Sequence, residues 1–242
     1  MHRPRPARLL AAGCAVVLLA GCGHKPAPRR TQTATPSGQS IAAPGPTPAP
    51  ESLLAQIVLQ HEDLPGWTGT PFHDDPSNTQ EQAALLGCVG GRNTDGDKVA
   101  EAHSPDFALG QAGISSDAAS YRTQSAVDSD VALLHNPKFP SCYQELIKTG
   151  LSKSLPAGTT ITSAKVSVTP GPGSGPVNIA GTATAVLAVH TASGPVMVYA
   201  DIAFITGPML EAEVDAENVG SPVPVALRNK LIQAVAARAA RG

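Results

Sequence analysis

Beyond residue 50 the apolar positions follow two periods. Leu53, Leu54, Ile57 and Val58 fall on one face of a helix over Glu51–Gln60, with Ser52 placed to cap it. A second helix is expected over Thr79–Cys88, with Ala84, Leu85 and Cys88 inward, and a third from Ser125, with Val127, Val131 and Leu134 on one face until Asn136-Pro137 stops it. Ser141–Leu155 forms a fourth, and Leu227, Leu231, Ile232, Val235 and Ala239 make the stripe of a last helix after Pro222 and Pro224. Between these lie strand patterns near Lys98–His103 and Gly113–Thr123. Three longer ones cover Thr160–Thr169, Val177–Thr191 and Val196–Thr206, the last two joined at Ala192-Ser193-Gly194. Over Met209–Glu217 the period is two: Leu210, Ala212, Val214 and Ala216 alternate with Glu211, Glu213, Asp215 and Glu217. The order predicts an α+β fold: a twisted antiparallel sheet of about 4–6 strands packed with helices on at least one face.

Before residue 51 the pattern is of another kind. Three arginines precede a run of 12 apolar residues from Leu9 to Ala20, too short to cross a bilayer and of the size of a signal-peptide core. Leu19-Ala20-Gly21-Cys22 ends it and resembles the bacterial lipobox. That resemblance implies cleavage before Cys22, a diacylglyceryl thioether on its sulfur and acylation of the new terminus, so residues 1–21 are a lipoprotein signal peptide. An ordinary secretory signal containing a cysteine is the alternative. Two or more acyl chains hold a protein on a membrane where one does not. Residues 22–50 then form the lipidated terminus and a disordered tether. Seven prolines lie between Gly23 and Pro50, and Ile41 is its only large aliphatic residue. Lys25, Arg29 and Arg30 either add attraction to anionic headgroups or are solvated linker charges. Residues 51–242 form a single domain.

Of 242 residues only 8 are aromatic, and all 19 acidic residues lie at or after Glu51. The domain therefore carries 11 basic against 19 acidic side chains. Such a surface repels phosphate backbones, and few aromatics remain to stack bases, so nucleic acid is not an expected partner.

Cys14 lies in the discarded run, and a lipidated Cys22 leaves Cys88 and Cys142 as the available pair. The compartment outside the membrane permits a disulfide between them. A catalytic thiol or two free buried thiols are the alternatives. His61-Glu62-Asp63 and His73-Asp74-Asp75 combine imidazole and carboxylates, but adjacent residues point apart, so solvated loop charges are the simpler reading. Asn93-Thr94-Asp95-Gly96-Asp97 lacks the glycine and glutamate positions of a calcium loop and reads as a turn. The row Glu211, Glu213, Asp215 and Glu217 is either a binding face for a basic partner or cation, or the solvated outer face of a strand. No nucleophile elbow, phosphate loop, dinucleotide fingerprint or zincin helix occurs in the sequence. Neither a cofactor nor a metal is expected.

Asp63-Leu64-Pro65-Gly66-Trp67 after a short first helix, the cysteine pair, the late strand Val196–Phe204 and the closing helix ending Ala236-Ala237-Arg238-Ala239 are similar in layout to the exported sensor-type domains of mycobacterial and related actinobacterial lipoproteins. The extracellular domain of PknH-type receptor kinases is similar in plan. The resemblance implies a twisted antiparallel sheet with helices and a cleft for a ligand. It transfers no ligand-binding residues, and this chain has one cysteine pair where the kinase sensor plan has two. The Ala-, Gly- and Pro-rich usage fits a high-GC actinobacterium.

Together these features predict a membrane-anchored lipoprotein facing outside the cytoplasm. Its domain is a non-catalytic sensor or binding module for a small molecule, lipid or protein. A site is expected near the Asp63–Phe72 loop, where Trp67 and Phe72 offer apolar area; simple core packing is the alternative for both. A carrier of a lipid, which needs an apolar cavity, and an envelope hydrolase are the competing functions.

Overall fold

The computed structural model describes residues 47–73, 77–155, 157–173 and 175–241. Helix α1 (Glu51–Ile57) opens the domain, and a 3-10 turn at His61–Asp63 leads into β1 (Thr68–Thr70). Helix α2 (Ser77–Val89) precedes β2 (Lys98–His103), β3 (Asp106–Leu109) and β4 (Ala112–Tyr121). Two helices follow, α3 (Gln124–Leu134) and α4 (Phe139–Ser154). The meander β5 (Thr160–Pro170), β6 (Asn178–Thr191), β7 (Gly194–Gly207) and β8 (Leu210–Val219) comes next, and α5 (Val225–Ala239) closes the fold.

All strands join one antiparallel sheet of eight, in the order β1-β3-β4-β8-β7-β6-β5, with β2 also on β4. The expectation of 4–6 strands is therefore too low. The additional strands are β1 and β3, three and four residues long, too short for a period of two to register. β2 and β3 run along the same edge of β4, broken at Ser104-Pro105. Proline has no amide hydrogen to donate there. Beside the break the Ser104 hydroxyl accepts the Ser116 N–H at 2.9 Å, so that donor of β4 stays paired.

Helices cover both faces, each over a different half of the sheet. On one face α1 and α5 bury Leu54, Ile57, Leu231 and Val235 against Ile114, Ala118, Ile205, Ala212 and Val214. Arg238 of α5 fastens the first loop to this layer: it donates to the Val58 carbonyl at 2.9 Å and to both Asp63 oxygens at 2.6 and 2.7 Å. On the other face α2, α3 and α4 bury Leu85, Leu134, Phe139 and Ile147 against Ala183, Ala185, Leu187, Ile202 and Phe204.

Cys88 of α2 and Cys142 of α4 form a disulfide, Cα to Cα 5.8 Å. The pairing agrees with the sequence reading, but the α2 stripe does not. Gln82, Leu85, Leu86 and Val89 are buried, whereas Ala84 and Cys88 are exposed. The bond runs from Cys88 on the exposed side of α2 to Cys142, which is buried in the helix layer. Helix α4 also starts earlier than expected, at Phe139, because Pro140 sits in its first turn, where a missing N–H costs nothing.

Candidate functional site

The row on β8 decides where charge collects. Val214 and Ala216 point to the α1/α5 face, so Glu211, Glu213, Asp215 and Glu217 point to the α2–α4 face. Register then sets their neighbours. On one side Glu213 lies directly opposite Asp117 of β4, and Glu217 opposite Gly113. On the other side Glu213 faces Phe204 of β7, and Asp215 faces Ile202. One strand further out, β2 places His103 opposite Asp117 and Glu101 opposite Ala119. The row thus runs along a border, with the apolar helix-covered half of the sheet on one side and a polar half on the other.

This corrects the picture of a solvated strand face. Glu211 is 5% and Glu213 2% exposed, while Asp117, Asp215 and Glu217 are half-buried. The helix layer over Phe204 and Ile202 reaches across the row and brings Asp130 of α3, 4% exposed, to its end. The β7–β8 turn aligns the two elements: Met209 donates its N–H to the Gln124 side chain at 2.8 Å and accepts the Tyr121 N–H at 2.8 Å.

Some of these carboxylates are satisfied and some are not. Tyr121 donates to Glu211 Oε2 at 3.0 Å, and Thr94 donates to Asp130 Oδ2 at 2.9 Å. Lys98 donates to Glu101 at 2.8 Å, with His103 3.9 Å from the same carboxylate. Glu211 Oε1 and both oxygens of Glu213 are buried and have no hydrogen-bond partner among the described residues. A void of about 10 Å3, the size of one water molecule, touches Asp130, Glu211 and Glu213.

The electrostatics follow from that burial. His103 and then Lys98 hold Glu101 down to about 2, against its own burial. Burial pushes Asp117 up to about 6, Asp130 to about 7 and Glu217 to about 7. Burial also drives Glu211, Glu213 and Asp215 well above the usual carboxylate range, and the neighbouring charges of Asp130 on Glu211 and of Asp117 on the other two push the same way. Oxygens of Asp117, Glu213 and Asp215 all lie within 4.8 Å of one another. Like charges placed directly opposite on neighbouring strands are destabilising. This face therefore favours protons, cations or positively charged groups.

The expected site residues are distributed differently. Phe72 stacks on His103, ring centres 3.9 Å apart and nearly parallel, and so stands beside the strand partner of Asp117. Trp67 packs against the core under α1 and α5. The two have different neighbours. His61 meets Phe107 edge-on, and Asp63 is held by Arg238, so the first His-acid triplet is occupied structurally. Asp74, Asp75 and Cys22 lie outside the described residues. In the 93–97 segment the Asn93 side chain accepts the Asp95 N–H at 2.8 Å, the geometry of a turn. Asp117 and Asp130 escaped the sequence reading. Asp117 is a lone acid among small residues and Asp130 follows Asp128 on a short helix, and only the pairing of β4 with β8 and the docking of α3 bring them to the row.

No family model matches the chain, and no curated protein matches it. Among solved structures, the extracellular domain of PknH from Mycobacterium tuberculosis is similar at 14% identity over 80% of this chain and 96% of that one, with a TM-score of 0.40. A likeness this loose transfers neither a site nor a function. No helix among the described residues is long and apolar enough to cross a membrane.

Proposed function

We propose that this protein is an exported, lipid-anchored binding module without catalytic activity, and that its acidic β4–β8 face takes a positively charged ligand. The observation that carries the reading is Glu213, buried with both oxygens unpartnered among the carboxylates of a face that is half-open at Asp117 and Asp215. Export is supported by the Cys88–Cys142 bond, since disulfides persist in oxidising compartments. Anchoring rests on the lipobox at Cys22 and the bilayer as partner. Phe72 on His103 supplies an aromatic wall beside the acids. A carrier fits less well: a groove of about 520 Å3 is open to solvent and mixes Val127, Val131 and Pro208 with the polar side chains of Gln124, Asp128 and His135, where a lipid carrier needs an enclosed apolar cavity.

The experiment has two arms. Cys22→Ala should move the protein from the membrane fraction to the soluble fraction in the native host, with loss of acyl mass from the N-terminal peptide. Thermal shift with spermidine and trilysine against inorganic phosphate should show stabilisation by the cations alone. Stabilisation by phosphate alone would refute the reading of the face. The carboxylate cluster itself favours a second reading, a hydrolase using Asp117, Glu213 or Asp215 as acid and base. Turnover of a glycan or peptide that Asp117→Asn abolishes without unfolding the protein would establish that reading instead.

A further inference from the structure

We infer that Asp117, Glu213 and Asp215 form a binding site for a hard divalent cation, Ca2+ foremost, on the face already read as taking positive charge, and the inference rests on that reading. The donor set is three carboxylates, all hard oxygen ligands, which suits Ca2+, Mg2+ or Mn2+ over softer metals. Their oxygens lie no more than 4.8 Å apart. Two ligands on opposite sides of a Ca2+ at about 2.3–2.6 Å each are about 4.6–5.2 Å apart, while Mg2+ requires about 4.2 Å and a strict octahedron. Three oxygens within that distance can all reach one ion, and the flexible coordination of Ca2+ tolerates unequal ligand spacing where Mg2+ does not.

Glu213 is the second and independent observation. It is 2% exposed, neither of its oxygens has a partner among the described residues, and one of them lies within 4.8 Å of oxygens of Asp117 and Asp215. A buried carboxylate needs a partner, and the nearby ammonium is already engaged, since Lys98 donates to Glu101 at 2.8 Å. Among the described residues no N–H or O–H donates to Glu213, so a cation supplies what the protein does not. Asp117 and Asp215 are half-buried, which leaves one side open for ion entry and for the waters that complete six to eight ligands. The ligands come from paired strands, so the site is preorganised before the ion arrives.

The test uses the full-length chain in detergent micelles, stripped with EDTA and titrated with CaCl2, MgCl2 and MnCl2 by calorimetry and thermal shift. One saturable Ca2+ per chain is expected, with Kd on the order of 10⁻⁴ M or tighter, and a Tm increase that NaCl of equal ionic strength does not reproduce. Glu213→Gln should weaken Ca2+ binding about tenfold or more, because it removes charge and an oxygen at constant shape, whereas Asp128→Asn on exposed α3 surface should change nothing. If Glu213→Gln misfolds, Asp215→Asn at the half-exposed position must show the same loss. Absence of saturable binding up to about 10 mM CaCl2, beyond the range of extracellular calcium modules, or an unchanged Kd in a folded Glu213→Gln or Asp215→Asn protein would overturn the inference. If spermidine and trilysine stabilise the protein while divalent ions do not bind, the cation site falls and the broader reading stands. If neither class binds, both fall.

Discussion

At the scale of single residues, the same change has opposite prospects at two glycines. At Gly113 a Cβ would stand 2.9 Å from Glu217 Oε1, the mobile end of a side chain that lies across the glycine. Gly113→Ala is therefore expected to fold, with Glu217 swung aside. At Gly171, just past β5, a Cβ would drive into the Ile179 carbonyl, and backbone in a paired strand cannot give way. Overpacking of this kind costs about 1–3 kcal/mol or more, so Gly171→Ala should lower the urea midpoint clearly, and Gly113→Ala only slightly. Equal midpoints for the two variants would contradict the packing described. Neither environment was legible in the sequence. In the sequence Gly171 is one member of the run Pro170-Gly171-Pro172-Gly173, and Gly113 is only the start of an expected strand. The constraint on Gly113 comes from Glu217 of β8, far along the chain, and that on Gly171 from Ile179, where the chain returns as β6.

At the scale of elements, the disulfide and the Arg238 clamp perform parallel tasks on opposite faces. Cys88–Cys142 closes a span of 54 residues that includes β2, β3, β4 and α3. The chain-entropy model gives about 4 kcal/mol for a loop of this length, with measured values often lower. Because the bond lies at the exposed edge of α2 and the helices keep their own apolar contacts, Cys88→Ser with Cys142→Ser should stay folded with a Tm lowered by several degrees. A double variant of unchanged Tm would show that the bond constrains nothing. On the other face, Arg238→Lys keeps the charge but loses the paired geometry that spans Val58 and Asp63. It should cost about 1–3 kcal/mol and loosen the first loop, readable as faster amide exchange at Trp67.

Elements with a clean period were legible before the structure. β2 has the expected ends, α5 buries the expected stripe at Leu231, Ile232, Val235 and Ala239, and β8 alternates as read. Those without one were not: β3 exists because β4 offers an edge to pair with, and β1 because β3 offers the next. The acidic row was visible as a row, but its burial depends on a helix layer whose position no local pattern encodes. Asp117 joins Glu213 only through a register set between residues almost a hundred apart.

At the scale of the whole molecule, charge and burial combine into a pH response. Asp130 of α3 is faced by Thr94 from the loop after α2, by Glu211 of β8, by Asp95 and by Lys98. Burial raises it from 3.8 to about 7, with Thr94 opposing the shift and Asp95 adding to it. A carboxyl with a raised folded-state value binds its proton more tightly in the folded protein. It therefore contributes stability that is fully present below its unfolded value near 4 and is lost as pH rises through about 7. Glu101 has the opposite sign: held down to about 2 from 4.5, it contributes stability above about 4.5 that is lost as pH falls toward 2. The two windows overlap in mildly acidic solution. In EDTA, Tm should therefore be higher near pH 5 than near pH 8, and each kcal/mol lost should appear as about 2–4 °C for a domain of this size. Asp130→Asn retains an oxygen for the Thr94 hydroxyl and removes the titration, so it should flatten the decline between pH 5 and 8. Scanning calorimetry of wild type and variant across that range decides the matter. A wild-type Tm that rises toward pH 8 would show that the buried acids of this face do not set the stability of the fold, and an equally steep decline in Asp130→Asn would show that Asp130 is not the acid responsible.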